Sequence, residues 1–194
     1  MNTTTERRST AGIELRSEDG KSAVLVGYAA LYDSQSVDLG GFIEVIRKGA
    51  FKRTLESSSE VLALAHHDTS KPLARRSVGT LKLSDDDKGL RVEITLNESS
   101  TAKDILADVR SKNITGMSFS FTAIKDAVTR KEGEKTLREL IDLNLYEVSP
   151  VTMPAYPETV ITPRSVTEAG KPTPDAAASK RLNAARVKLL SMTL

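Results

Sequence analysis

The sequence predicts a mainly β (α+β) domain of about seven largely antiparallel strands with a few helices. Three observations carry that prediction: apolar residues alternate at period two along most of the chain, Asp, Gly and Ser clusters punctuate those runs, and one segment alone carries a clean helical stripe with end signals. At 194 residues, 39% hydrophobic and 28% charged, the chain is long enough for one domain with a real core and modest appendages.

The elements follow in order. IELRS (13–17) and SAVLVGYAALYD (22–33) form a hairpin around SEDGK, with Gly27 interrupting the second strand where a bulge or bend fits. FIEVIRKGAF comes next and passes into a short helix, AFKRTLES, which the polar SSSE ends. VLALAHH (61–67) is a compact apolar run of strand length. After a loop around Pro72, VGTLKLSDDDKGLRVEITL supplies two alternating strands around an Asp/Gly turn. The triplet Asp85, Asp86 and Asp87 reads as turn chemistry, because the distal ligand of a calcium loop is missing.

The helix is signed by Thr101 and Asp104 at capping-box spacing, by a stripe of Ala102, Ile105, Leu106 and Val109, and by Asn113 and Gly116 as a stop. ITGMSFSFTAIK then starts a strand in which Met117, Phe119 and Phe121 share one face and Ser118 and Ser120 the other. A charged GEK turn leads into TLRELIDLNLYEVSPV. There Leu137, Leu140 and Ile141 also fit a helix, and the alternation of Ile141, Leu143 and Leu145 decides for a strand.

This organisation gives a flexible N-terminus at 1–12, a folded domain at 13–163, and a tail at 164–194. The tail joins a linker, SVTEAGKPTPDAAAS, to a basic amphipathic helix with Leu182, Ala185, Leu189 and Met192 on one stripe. Residues 164–194 hold six Lys and Arg against two Asp and Glu, so the excess of the +2 net charge lies there. A slightly acidic domain with four Phe, four Tyr and no Trp predicts no nucleic-acid partner.

Without cysteine the chain has no disulfide, thiolate zinc site or Cys nucleophile, and with only His66 and His67 as imidazoles no metal or cofactor is expected. No apolar run approaches the roughly 18 residues of a membrane span, and the N-terminus lacks an apolar signal region. The expectation is a cytosolic protein with no membrane partner.

Polar residues in core register mark where chemistry could sit, since buried charge is costly unless paired or used. The row Val61, Ala63, Ala65 continues to His67, and Leu62, Leu64 to His66; the row Ile141, Leu143, Leu145 continues to Glu147. Ser118, a histidine and Glu147 are the types that serine acyl transfer needs: a hydroxyl, a base to take its proton, and an acceptor to orient that base. A solvated sheet face, a structural strand-end histidine, and a Glu147 paired with Arg75 or Arg91 account for the same residues.

Read in order, GYAALYD, FIEVIRKGAF, AHHD, VGTLKLSDDDKGLRVEITL, ITGMSFSF and LYEVSPVTMPAYP closely resemble the prohead (procapsid maturation) proteases of tailed bacteriophages of the HK97 type, over roughly residues 13 to 160. That family is similar in fold to the herpesvirus assemblin proteases. The resemblance implies a closed, mostly antiparallel β-barrel with surrounding helices, and a serine endopeptidase. It implies action inside the procapsid, within the host cytoplasm, on scaffold or on the scaffolding segment of the major capsid protein, and finally on the enzyme itself. The H-D pair falls on His67 and Asp68, which implies His67 as general base beside His66. The G-M-S-F block makes Ser118 the nucleophile rather than Ser120. The acid of L-x-E-V-S falls on Glu147, which would orient His67, with Asp68 and Asp142 as competitors for that role. Self-association, as a dimer or higher, follows from the assemblin likeness. The alternative is a catalytically inactive scaffold or assembly protein on a protease-like barrel.

Overall fold

A computed structural model describes residues 4–18, 22–130 and 132–152. The tail expected from residue 164 lies outside them. The strands are β1 (Glu6–Ala11), β2 (Ile13–Glu18), β3 (Ser22–Leu31), β4 (Phe42–Ile46), β5 (Leu62–Ala65), β6 (Asp68–Arg75), β7 (Leu81–Asp85), β8 (Gly89–Thr95), β9 (Gly116–Thr129) and β10 (Thr136–Val151). Two helices, α1 (Lys52–Glu56) and α2 (Ser100–Arg110), interrupt them.

The strands form two sheets. One is antiparallel, in the order β2-β3-β8-β7; the other runs β1-β9-β10-β5-β6, with β4 also on β10. Within the second sheet β10 is antiparallel to β9 on one edge, and parallel to β4 and then to β5 on the other. The closed barrel implied by the resemblance therefore does not form. Closure gives every strand two neighbours, whereas β1 and β6 end one ladder and β2 and β7 end the other.

The chain passes between sheets at Gly12, whose φ of 111° suits glycine. A Cβ on Gly27 would lie 2.3 Å from the Gly12 carbonyl oxygen. Gly27 is thus required by close approach, and the register shift of β3 falls later, between Tyr28 and Ala30. One core takes residues from both sheets: Leu25, Leu90 and Ile94 from the first, Phe119, Phe121, Leu143, Leu145 and Val148 from the second. Phe119 meets Phe51 edge-on at 5.5 Å and stacks on Phe121 at 5.2 Å.

The described residues hold ten strands where about seven were expected, and several individual elements form as read. The hairpins β2–β3 and β7–β8 pair as read, and Asp86 closes the second turn by accepting from the Lys88 and Gly89 backbone N–H groups. Ala102, Ile105 and Val109 are buried on α2, but its cap is Ser99, whose hydroxyl accepts from the Ala102 N–H at 3.1 Å, in place of the expected Thr101.

Two strands come from stretches read otherwise. The loop around Pro72 is β6, an edge strand, where proline is tolerated. The stretch expected as a flexible N-terminus contributes β1, paired with β9 from Glu6↔Phe121 to Ala11↔Gly116. Charge holds it. Glu44 on β4 is 0% exposed and accepts from Arg8 at 2.6 and 2.8 Å and from Arg138 at 3.2 Å, while Arg138 also reaches Glu6 at 2.6 Å.

A fully buried carboxylate depends on its partners, and removing one costs about 3 kcal/mol or more. Arg8→Ala is expected to lower the unfolding free energy by about 3 kcal/mol, measured from the urea midpoint. In a Glu44→Gln background the same substitution should cost clearly less. Equal losses in both backgrounds would show that Arg8 acts apart from Glu44.

Candidate active site

The site is built on three adjacent strands, β9, β10 and β5. Along β9, alternation sends Met117, Phe119 and Phe121 into the core and turns Ser118 and Ser120 to the opposite face. Those serines are not on a wet face: Ser118 is 3% and Ser120 4% exposed.

On β10 the register is Leu145↔Phe121 but Glu147↔Ser120, so Tyr146 is an extra residue with no partner on β9. One residue of slip reverses every following side chain. Glu147 therefore does not continue the apolar row of Leu143 and Leu145, as the sequence suggested. It shares the face of Ser120, and Ser149, two residues on, stands opposite Ser118.

The histidine rows also end earlier than expected. β5 stops at Ala65, which pairs with Asp68, and His66 and His67 form the two-residue turn between them. Both have positive φ, 51° and 62°. Turns of this kind usually carry Asn-Gly, and left-handed backbone costs a residue with a Cβ roughly 1–2 kcal/mol. The strain coincides with the contacts of the candidate site: His67 Nδ1 lies 2.5 Å from Glu147 Oε1, and its backbone N–H donates to Ser149 Oγ at 3.1 Å. His66 is exposed.

Glu147 is the centre of the cluster. Oε1 is shared by His67 and the Ser120 hydroxyl, and Oε2 accepts from the Ser149 hydroxyl at 2.5 Å. Burial pushes the carboxyl pKa up, but the hydrogen bonds from His67, Ser120 and Ser149, with the charge of His67, outweigh it and hold it below the ordinary value.

The competing acids are occupied elsewhere. Asp68 accepts from Ser70 and pairs with Lys71 at 3.3 Å, and Asp142 pairs with Arg53, whose hydrogen bond holds its carboxyl low. Arg75 faces Glu60 at 3.7 Å and Arg91 faces Glu93 at 2.5 Å, so neither pairs with Glu147.

Of the three residues read from the sequence, His67 and Glu147 touch directly. Ser118 is on the same face, with its hydroxyl donated to the Arg8 carbonyl oxygen of β1 at 2.8 Å. Ser120 donates to Glu147 and accepts from Arg7 Nε at 3.3 Å. A carboxylate on Nδ1 places the imidazole proton there and leaves Nε2 free to act as a base. Sequence reasoning missed Ser149, although it keeps Glu147's parity in an apolar strand end, and it missed Arg8, whose part is played by a backbone carbonyl that no side-chain pattern reports.

A family model described as Caudovirus prohead serine protease matches residues 11–172. Among solved structures, the chain is similar to the bacteriophage T4 capsid assembly protease, gp21, with a TM-score of 0.53 and 9% identity, covering 79% of this chain and 100% of that one. At that identity the likeness is one of fold. No curated protein matches the sequence significantly.

Folding lowers the Glu147 pKa from its ordinary 4.5, so the contribution of the carboxylate to stability is complete above that value and fades as pH falls through the lower folded one. The melting-temperature gap between wild type and Glu147→Gln should be narrower well below pH 4.5 than just above it. A gap that widens as pH falls below 4.5 would mean that folding raises this pKa instead of lowering it.

Proposed function

The chain belongs to the caudovirus prohead serine protease family, and from that membership we propose that it is a serine endopeptidase with Ser118 as nucleophile, His67 as general base and Glu147 as the acid that orients His67. The observation that carries the assignment is the His67–Glu147 contact of 2.5 Å on the face that also holds Ser118.

In the proposed reaction Ser118 Oγ attacks the scissile carbonyl carbon while His67 Nε2 takes the hydroxyl proton. The same proton passes to the leaving amine as the C–N bond breaks, and water then hydrolyses the acyl-enzyme. Glu147 stays ionised and stabilises the imidazolium. Attack requires the Ser118 hydroxyl to leave the Arg8 carbonyl, at the cost of one neutral hydrogen bond.

Ser120 is the less suited of the two serines. Its proton is already committed to the acid, and a nucleophile must hand its proton to the base. The family's G-M-S-F block falls on Ser118 as well.

Procapsid scaffold, or the scaffolding segment of the major capsid protein, is the proposed substrate, with the enzyme's own chain as a last one. The proposed place of action is the procapsid interior in the host cytoplasm, where self-association would accompany assembly.

Co-expression with the phage's major capsid protein, read by intact mass, tests this. Wild type should shorten the capsid protein or itself. Ser118→Ala and His67→Ala should each lose on the order of 10⁴-fold or more in rate, and Ser120→Ala should keep measurable cleavage. Cleavage by Ser118→Ala with none by Ser120→Ala would reverse the nucleophile assignment. Uncut chains in every case, with shells still formed, would move the protein to the inactive assembly role.

A further inference from the structure

We propose that Ser149 is a positioning residue that fixes both members of the His67–Glu147 pair at once, an inference that rests on the serine-protease reading. Its single hydroxyl is used in both directions. It donates to Glu147 Oε2 at 2.5 Å and accepts from the His67 backbone N–H at 3.1 Å.

The Glu147 carboxylate needs such a second anchor. Its terminal torsion is broad and roughly two-fold, so the His67 and Ser120 contacts at Oε1 fix one oxygen and leave the plane free to swing about it. Ser149 holds the other oxygen and thereby sets the plane. Ser120 cannot replace it, because it meets the oxygen that His67 already holds.

The turn needs an anchor too. His67 sits at a φ of 62° in a two-residue connection, a conformation that persists only when its surroundings over-determine it. The N–H bond to Ser149 ties that turn to β10, the strand that carries the acid. Ser149 is 0% exposed and stands opposite Ser118 in the β9–β10 register. A polar side chain in that place satisfies both hydrogen-bonding capacities within the candidate site. The Tyr146 bulge makes this possible, since it turns Glu147 and Ser149 together to the Ser118 face.

The test measures nucleophile reactivity without needing the natural substrate. A fluorophosphonate reacts with an activated serine, forming the O–P bond and expelling fluoride while the base takes the proton. Its labelling rate would be followed by intact mass and mapped to Ser118 in four full-length proteins: wild type, Ser149→Ala, Glu147→Ala and the double variant.

Ser149→Ala should slow labelling about 10- to 100-fold, the range expected from misplacing a catalytic group. In the Glu147→Ala background the same change should cost clearly less, because only the tie to the His67 backbone N–H is then lost. An equal loss in both backgrounds, or wild-type labelling by Ser149→Ala, overturns the proposal. A wild type that is not labelled at all sinks the protease reading, and this inference with it.

Rates are taken below the lowest melting temperature of the set. Should Ser149→Ala melt early, Ser149→Thr, which keeps a hydroxyl, should label within a few-fold of wild type. A Thr variant that melts normally and labels as slowly as Ala also overturns the role.

Discussion

A carboxylate cannot stay ionised in a protein interior without hydrogen bonds to replace water, and Glu147 meets that demand from three separate elements. Ser120 comes from β9, Ser149 from β10 itself, and His67 from the turn after β5. That requirement fixes much of the architecture. β9 and β5 must flank β10, and the parallel β10–β5 pairing at Glu147↔Leu62 and Val148↔Ala63 aligns the end of β5 with the acid. A parallel neighbour needs a long crossover, and the segment between β9 and β10 is too short to supply one. The chain meets this by placing β6 to β9 between β5 and β10 in sequence.

A second buried carboxylate repeats the logic at the sheet's edge. Glu44 draws Arg8 from β1 and Arg138 from β10 toward β4, and so ties three strands together through one buried charge. The guanidinium of Arg8 also lies over the Phe121 ring at 5.5 Å, which joins the ion cluster to the core. Arg8 is where the two polar systems meet: its side chain serves Glu44 and its carbonyl receives the Ser118 hydroxyl. Strand β1 is thus set by its ladder with β9 and by charge, and its position in turn sets the surroundings of Ser118.

These devices explain what the sequence could and could not reveal. Period-two alternation located β9 and the β7–β8 hairpin, because both bury one apolar face and leave a regular trace. It failed at β10 for a definite reason. Alternation assumes an unbroken ladder, and the Tyr146 bulge reverses parity between Leu145 and Glu147. Glu147 does meet His67, but not through the row in which the sequence placed it. ERRSTA gave no strand signal because β1 is held by ion pairs, and a charge does not announce its partner. His67 looked like a strand end because nothing in AHHD shows that non-glycine residues will take positive φ. The barrel came from the resemblance alone, and hydrogen-bonded ladders, which no side-chain pattern encodes, are what leave these sheets open.

The resting bond of Ser118 to the Arg8 carbonyl bears on whether such a site can work, and magnitudes decide the question. A neutral hydrogen bond exchanged for another costs about 0.5–1.5 kcal/mol, which is about tenfold in rate at most. Enzymic acceleration corresponds to about 8 kcal/mol or more, so releasing one hydroxyl from a backbone acceptor is a small part of the whole. Reorienting the His67–Glu147 pair would be far more expensive, since it would break the turn and strip hydrogen bonds from a buried charge. In the proposed reaction the contacts that are costly to assemble are therefore already in place, and the group that must move exchanges a single hydrogen bond.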